Sequence, residues 1–237
     1  AEYFIKPLLS AKEFLNNKKR WCLWLVDISP SELKKLPLVS ERVRNVKQVR
    51  EQSTRSATKA LADFPTLFGE NRQPNSEYIL IPLHSSENRK YIPMGYFSPD
   101  YIANNSCATI SNTDLYHFGV LSSAMHMAWV NYVCGRLESR YRYSNELVYN
   151  NYPWPDKPSD KNISNLELKA KNILEIRESY QNSCLADLYD PLAMPPKLVK
   201  AHRELDKAVD LCYRSNPFPN DLKRIEFLFE LYEKYTN

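Results

Sequence analysis

Three prolines within residues 152–158 (YPWPDKP) place the strongest constraint on how this chain folds. Proline has no backbone N–H to donate and its ring crowds the preceding turn, so a helix interior or a central strand tolerates it poorly. We therefore predict a break in regular structure here. The chain has 237 residues, enough for one large or two small domains, and the prolines place a boundary between domains at 1–155 and 156–237.

The sequence after the prolines is typical of a small all-α bundle. Apolar residues recur at helical spacing in three segments, which begin near residue 164, after Pro195–Pro196 and after Asn220. Proline is favourable in the first turn of a helix, and an asparagine side chain caps the free N–H groups at a helix start. No residue in this part suggests chemistry.

The sequence before the prolines mixes helix and strand patterns. We predict a long amphipathic helix over residues 40–61, with an apolar stripe of valines, and a second helix over about 122–134. Gly135 has the conformational freedom to close the second helix in the left-handed region. Strand candidates lie at 20–26, 78–82, 90–97 and 107–111. The predicted fold class is α+β: a mixed α/β domain followed by a small helical bundle.

Composition argues against several classes of site. The four glycines form neither GxGxxG nor GxxxxGK[ST], so we expect no bound nucleotide cofactor. The five cysteines are scattered singly and the four histidines share no ligand spacing, so we expect no metal site and no disulfide framework. No GxSxG elbow is present. We therefore expect no catalytic residues in this chain.

The same features bear on location. Scattered cysteines fit a reducing, cytoplasmic setting, and no run approaches the roughly 20 apolar residues of a membrane-spanning helix. The first residues, AEYFIKPLLS, lack the pattern of a signal peptide. They also lack an initiator Met, which is typical of a fragment of a longer protein.

Positive charge is concentrated before the prolines. Residues 1–155 contain 19 Lys and Arg against 14 Asp and Glu, whereas 156–237 contain 13 against 14. A basic excess on one part of a protein suggests a polyanionic partner. Cations on a helix surface are also often no more than a solvated face. The candidates for a DNA phosphate track are Arg55, Lys59, Arg72, Arg89 and Lys90.

In residues 135–144 (GRLESRYRYS), every second residue from Arg136 to Arg142 is charged, and the residues between them are uncharged. If the segment is one extended strand, every second side chain shares a face. One face then holds Arg136, Glu138, Arg140 and Arg142. The other face holds Tyr141 and Tyr143, which point toward a core. Arginine donates two hydrogen bonds to guanine and glutamate accepts one from cytosine N4, so the charged row is suited to reading a C·G pair. The alternative is an exposed strand edge whose ion pairs contribute little.

Six segments together carry a resemblance to a known family. In chain order they are KEFLNNKKRWCLWLVD, PTLFGENRQP, YHFGVLSSAMHMAWV, GRLESRYRYS, VYNNYPWP and SCLADLYDPLAMPP. They resemble the C-terminal part of MmeI-like DNA methyltransferases, which are single-chain type II restriction–modification enzymes. The resemblance implies that 1–155 recognises a target in double-stranded DNA. It implies that 156–237 braces this domain against an upstream methyltransferase domain of the same chain.

The resemblance also implies roles for individual residues. Members of the family carry either Glu/Arg or Lys/Asp at the places matching Glu138 and Arg140, and the exchange accompanies a change of the base pair that is read. Arg142 matches the family's variable recognition surface, as does the loop at Asn105 and Ser106.

The segment at residues 86–91 departs from the family pattern. The family often has SERRRY where this chain has SENRKY. One cation is therefore lost at Asn88, which leaves Arg89 and Lys90 to contact phosphates there.

For the parent enzyme, the resemblance implies transfer of a methyl group from S-adenosylmethionine to adenine N6, with Mg²⁺ for any nuclease activity. The residues for both activities would lie upstream of this chain. Two alternatives stay open from the residues alone. One is a non-catalytic protein-interaction scaffold, and the other is a specificity subunit that acts in trans.

Overall fold

The computed structural model describes residues 2–237, which form nine short strands and ten α-helices. The strands are β1 (Ile5–Leu9), β2 (Trp21–Leu23), β3 (Tyr78–Pro82), β4 (His84–Ser85), β5 (Gly95–Phe97), β6 (Ile102–Ala103), β7 (Cys107–Ser111), β8 (Gly135–Leu137) and β9 (Arg140–Arg142). The helices are α1 (Ala11–Leu15), α2 (Pro30–Lys34), α3 (Pro37–Glu51), α4 (Ser56–Ala60), α5 (Leu115–Leu121), α6 (Ala124–Val133), α7 (Asp160–Ser179), α8 (Leu185–Leu188), α9 (Pro196–Tyr213) and α10 (Asp221–Thr236). Short 3₁₀ helices lie at Glu2–Phe4 and Leu61–Asp63, and a π-helix lies at Asn145–Tyr149.

The strands form three-stranded sheets with the orders β2–β1–β6, β5–β3–β7 and β4–β9–β8. The chain divides into two compact units. The first comprises the residues up to Leu8, Lys19–Gln73 and Asp100–Ile102, and the second comprises Leu9–Lys18, Pro74–Pro99 and Ala103–Asn237. The predicted α+β class, with helices alone after the prolines, is confirmed. The domain boundary at 155 stays a prediction.

The first unit has a small core under the start of α3. Val39 and Val43 of α3 pack with Phe4 and Leu25 in this core. Val49, farther along the same helix, is 70% exposed. The predicted valine stripe is therefore buried only in its first half, and the second half of α3 faces solvent.

The predicted helix over 40–61 is wrong, because α3 ends at Glu51 and a separate α4 follows. The cause is the guanidinium of Arg50, which donates hydrogen bonds to carbonyl groups of the following segment. The acceptors are the carbonyl oxygens of Leu61, Phe64 and Leu67. These bonds fold the chain back along α3, which a continuous helix would prevent.

The second unit is centred on β3 and α6. All five residues of β3 are buried in the middle of its sheet. Helix α6 has seven consecutive buried residues, Ala124–Val130, as expected for a helix that is apolar on all sides. Helix α5 packs against α7, α6 against α10, and α7 against α9. Gly119 allows α5 to approach α7 closely, because a Cβ atom there would overlap the end of the Leu166 side chain and lie only 3.1 Å from the Cβ atom of Ala170.

The helices predicted after the prolines are confirmed as α7, α9 and α10, and Asn220 caps α10 as expected. The helix predicted over 122–134 is α6, which begins after the Ser123 cap. Gly135 does not close it in the left-handed region, since no described glycine has a positive φ. Cys134 instead ends α6 with φ −69° and ψ 131°, and Gly135 begins β8.

His126 is buried within α6 beside the end of β9. Its Nε2 atom lies 3.0 Å from the hydroxyl oxygen of Tyr143, and its ring packs edge-on against Tyr152. Burial lowers the pKa of His126 to about 3. The imidazole is therefore neutral in the folded chain at physiological pH.

This burial predicts a pH dependence of stability. In the unfolded chain the imidazole takes up a proton below about pH 6.5, whereas in the folded chain it does so only near pH 3. The unfolded state thus binds more protons between these values, and the free energy of unfolding falls as the pH decreases through this window. One such group contributes a slope of about 1.4 kcal/mol per pH unit.

We expect the substitution His126→Gln to reduce the slope by about this amount, because a glutamine amide keeps a hydrogen bond to Tyr143 but does not titrate, whereas the buried His202 still contributes its own share. Urea unfolding of both chains at several pH values between 4 and 5.5 measures the difference. Equal slopes in the two chains would contradict a neutral, buried His126.

Candidate nucleic-acid interface

Residues 135–144 fold as a β-hairpin rather than as one continuous strand. β8 ends at Leu137, Glu138 and Ser139 form a two-residue turn, and β9 begins at Arg140. β9 is the central strand of its sheet, between β4 and β8. We call this three-stranded sheet the ribbon. The predicted single row of four charged side chains is wrong, because the chain reverses within it.

The inward face of the ribbon packs on the core. Tyr141 and Tyr143 are buried in the main apolar cluster, so the predicted orientation of both tyrosines is confirmed. Arg136 and Ser85 lie directly opposite Tyr141 on the neighbouring strands and share its face. The Arg136 guanidinium lies 4.1 Å from the centroid of the Tyr141 ring. Arg136 is thus not part of the charged row, contrary to the prediction.

The outward face of the ribbon holds two rungs of residues. In the first, Leu137 lies opposite Arg140. In the second, Arg142 lies between Gly135 and His84, because the central strand pairs with both neighbours at this position. The four side chains of Leu137, Arg140, Arg142 and His84 are all exposed. This face is therefore open to a large partner.

Glu138 and Arg140 form an ion pair at the tip of the ribbon. The Arg140 Nη2 atom donates to Glu138 Oε2 over 2.7 Å, and the two side chains are 49% and 76% exposed, respectively. Arg142 differs, because among residues 2–237 its guanidinium has no hydrogen bond or ion pair. The free protein thus presents one neutralised pair and one guanidinium whose donors are available.

Glu138 adopts a backbone conformation that is unusual for its residue type. Its φ is 57°, in the left-handed region, where a two-residue hairpin turn ordinarily has Gly or Asn. For a residue other than Gly or Asn, this conformation costs roughly 1–2 kcal/mol. Such strained positions concentrate at functional sites, which supports a role for this carboxylate beyond the turn itself.

The substitution Glu138→Gly is expected to separate stability from function. It removes the backbone strain, but it adds the entropy cost of glycine and deletes an exposed ion pair, so the free energy of unfolding should change by less than about 1 kcal/mol. Recognition that depends on the carboxylate should be lost. Urea unfolding of this chain checks the first expectation. A destabilisation above about 2 kcal/mol would mean that the glutamate holds the turn together.

A second carboxylate lies against the turn. The Ser139 hydroxyl donates to Glu87, and this bond, with lesser contributions from Arg136 and Arg140, holds the pKa of Glu87 below its usual value. Glu87 is thus ionised near the tip of the ribbon. It reduces the local positive charge.

The loop at Asn105 and Ser106 lies close to the ribbon in the second unit. The Leu83 N–H donates to the Ser106 carbonyl over 3.0 Å, and the Leu83 carbonyl accepts from the Tyr143 N–H over 2.8 Å. Asn105 is exposed at the tip of this loop. Ser106 is only partly exposed, and its hydroxyl accepts from the N–H of Ala11, the first residue of α1, over 2.9 Å. Asn105 is therefore the freer of the two predicted base-reading residues.

The two predicted phosphate contacts of the second unit differ in their surroundings. Lys90 is exposed, with its Nζ atom 5.4 Å from the centroid of the Tyr91 ring. Arg89 is half-buried in a cavity of about 560 Å³ that it shares with Asp190 and Leu192. Burial lowers the pKa of Arg89, and the nearby Asp190 carboxylate opposes this effect. Lys90 is thus better placed for a phosphate than Arg89.

The first unit holds the other three predicted phosphate contacts. Arg55 precedes α4 and Lys59 lies within it, four residues later, and both are exposed. Arg72 lies in a loop, where its Nη2 atom is 3.0 Å from Glu70 Oε2. Arg55 and Lys59 were predicted to share the surface of one long helix. They lie instead at the start of the short helix α4 and within it.

His84, Gly135 and Leu137 belong to the outward face but were not predicted. The sequence does not reveal the turn, because Glu138 and Ser139 are not typical hairpin-turn residues. One signal was available. In a continuous strand the Ser139 side chain would point toward the core, as those of Tyr141 and Tyr143 do. A polar residue at that place argues against a continuous strand.

No other chemistry is evident in the described part of the chain. Residues 2–237 contain no group of three or more side chains arranged to hold a metal ion. None of their helices is both long and apolar enough to cross a bilayer. The exposed ribbon, whose outward face carries Arg140, Arg142 and His84, is the kind of surface that a recognition domain presents to a partner.

Family models agree with this class. The model described as the MmeI target recognition domain matches residues 1–156, and the model described as the MmeI C-terminal domain matches residues 158–237. The chain therefore belongs to the MmeI family.

Two longer proteins are similar to this chain. DNA methyltransferase A of Bacillus subtilis (strain 168) is 40% identical over 233 residues, which are 98% of this chain and 26% of that protein. The Type IIL restriction-modification enzyme MmeI, solved in complex with DNA, is 44% identical with a TM-score of 0.91, over 99% of this chain and 31% of MmeI. The chain thus spans less than a third of either relative.

Proposed function

We propose that this chain is the part of a larger DNA methyltransferase that selects the target site in double-stranded DNA. The observation that carries the proposal is the exposed end of the ribbon, where the Glu138 carboxylate at the tip lies beside the guanidiniums of Arg140 and Arg142 on the outward face. The family of the chain and the structure of MmeI with DNA support it.

The chemistry of the ion pair suggests how a base pair is read. A carboxylate accepts a hydrogen bond from cytosine N4, and a guanidinium donates to guanine O6 and N7. In the free protein Glu138 and Arg140 bond to each other. When a C·G pair binds, cytosine can replace Arg140 as the partner of Glu138, and guanine can replace Glu138 as the partner of Arg140. Opening an exposed ion pair costs only about 0–1 kcal/mol, so the exchange is favourable when both bases fit.

The remaining assignments extend this proposal. Arg142 and Asn105 read neighbouring positions, with Ser106 beside them. The exposed cations Arg55, Lys59 and Lys90 contact phosphates, which position the protein without reading sequence. Arg72 does so after leaving the Glu70 carboxylate, and Arg89 does so from its half-buried position near Asp190.

The catalytic step belongs to the upstream part of the parent chain. We propose that the parent flips an adenine into a pocket and transfers a methyl group from S-adenosylmethionine to N6. Any nuclease activity, with its Mg²⁺, lies upstream as well. Coding sequence before Ala1 with a Gly-rich turn and an Asn-Pro-Pro-aromatic motif would support this arrangement and exclude a specificity subunit in trans.

Sequencing of modified bases tests the proposed function. The full-length enzyme should methylate one defined sequence in host DNA, and the Arg142→Ala enzyme should accept more than one base pair at a single position of it. Loss of one bidentate contact should reduce discrimination there by about 1–3 kcal/mol. An unchanged set of sites would contradict the role of Arg142.

A salt titration separates DNA binding from the scaffold alternative. Each neutralised phosphate contributes about 0.9 to the slope of log K against log salt concentration. We expect the combined Arg55→Ala and Lys59→Ala substitutions to reduce this slope by about 2 in the full-length enzyme. Lys223→Ala, an exposed cation of α10, should leave it unchanged. Salt-independent behaviour of the unsubstituted enzyme would favour a protein-interaction scaffold.

A further inference from the structure

The second rung of the ribbon contains two residues to which no role has been given. His84 and Gly135 flank Arg142 on the outward face, one on each neighbouring strand. Side chains directly opposite each other on adjacent strands are about 5 Å apart, so His84 and Arg142 face any partner together. Among residues 2–237, the His84 side chain is exposed and makes no hydrogen bond.

Gly135 has no structural reason to be a glycine. Its φ is not positive, and a Cβ atom built on it would lie 3.7 Å from the Arg142 carbonyl oxygen, an ordinary van der Waals distance. Glycine weakens a strand, and its presence often marks a place where another molecule approaches closely. The missing side chain would point outward, beside Arg142.

We propose that His84, Arg142 and Gly135 form a second reading rung of the ribbon. In this rung His84 donates a hydrogen bond to a purine acceptor in the major groove, at the base pair next to the one that Arg142 reads. Gly135 leaves the space into which the edge of the DNA fits. The inference rests on the proposed function, and it adds two residues that determine specificity.

The separation of His84 and Arg142 is compatible with contacts to adjacent base pairs. Adjacent base pairs are 3.4 Å apart along the helix axis, and two side chains about 5 Å apart at their origins can converge on neighbouring pairs. Purines present N7, and guanine also O6, as acceptors in the major groove. An imidazole N–H is a suitable donor for either atom.

A series at Gly135 tests the space beside Arg142. Gly135→Ala and Gly135→Val should leave the melting temperature of the full-length enzyme unchanged or raised, because valine is favourable in strands. Methylation should fall with side-chain size, by about tenfold for alanine and more for valine. Lys223→Ala, at an exposed position of α10, is the control and should leave methylation unchanged. Full activity in the valine variant would overturn the role of Gly135.

Substitution of His84 tests the hydrogen bond. His84→Ala should reduce kcat/KM for methylation of the target site about tenfold and relax the site at one position, next to the one relaxed by Arg142→Ala. His84→Gln, which retains a donor, should restore most of the rate. An unchanged rate and site list in His84→Ala would overturn this inference alone. If the unsubstituted enzyme showed no defined site, the proposed function itself would fail.

Discussion

The full-length enzyme with Glu138→Lys and Arg140→Asp is expected to methylate sites in which G replaces C at one position. The two substitutions exchange the acceptor and the donor, so the hydrogen-bonding polarity that matches C·G now matches G·C. Each contact contributes about 1–3 kcal/mol of discrimination, so the preference between the two base pairs should reverse by at least about 100-fold. This is the largest effect on function that we predict.

The structure suggests that the exchange leaves the fold intact. Both side chains are exposed, and their ion pair makes little contribution to stability. Lysine at the left-handed position should be strained to about the same extent as glutamate. Either single substitution places two like charges at the tip of the ribbon, so each single variant should have low activity on both sites.

Sequencing of methylated host DNA measures the result. An exchange of charges in the exposed ion pair between Lys223 and Glu226 on α10 is the matched control, and it should leave the methylated sites unchanged. Methylation of the original sites alone by the doubly substituted enzyme would contradict base reading by Glu138 and Arg140.

The largest effect on stability is expected at a buried ion pair between α9 and α10. The Asp210 carboxylate is 1% exposed and accepts hydrogen bonds from Nε and Nη2 of Arg224 at 3.0 and 2.8 Å. It also accepts from the Phe218 N–H over 3.1 Å. The pair thus links the two helices and the loop that joins them.

We expect Arg224→Met to reduce the free energy of unfolding by about 3–5 kcal/mol, because it leaves a buried carboxylate without its cation. Urea unfolding of the chain measures the loss. Lys223→Met, at the exposed neighbouring position, should change stability by less than about 0.5 kcal/mol. A loss below about 1 kcal/mol for Arg224→Met would show that water or another group replaces the guanidinium.

Elements with strong local signals were predictable from the sequence. The apolar run YILIP became the central strand β3, and proline and asparagine marked the starts of α9 and α10. These signals depend on residues close together in the chain, so they favour the same local structure whatever the rest of the fold is.

The errors arose where distant contacts decided the structure. The break after α3 depends on Arg50 binding carbonyl groups up to 17 residues away. The turn at Glu138 carries no glycine, and the contacts of the flanking strands, with Tyr141 packed on the core, hold it in place. No local pattern reveals either arrangement.

The candidate site was predictable in part for the same reason. Glu138, Arg140 and Arg142 were identified from their spacing and from the resemblance to a family. His84 is far away in the sequence and reaches the same face only through the pairing of β4 with β9. Its position could not be inferred without the register of the strands.

The most direct test of the central claim removes one side chain and one DNA atom, separately and together, and asks whether their effects on methylation depend on each other. Methylation rates of the full-length enzyme and of its Arg140→Ala variant are compared on the target duplex and on a duplex with 7-deazaguanine, which lacks the N7 acceptor. If Arg140 reads that guanine, the analogue should slow the unsubstituted enzyme about tenfold and leave the variant unaffected. Equal slowing of both enzymes at every guanine of the site would contradict reading by the ribbon.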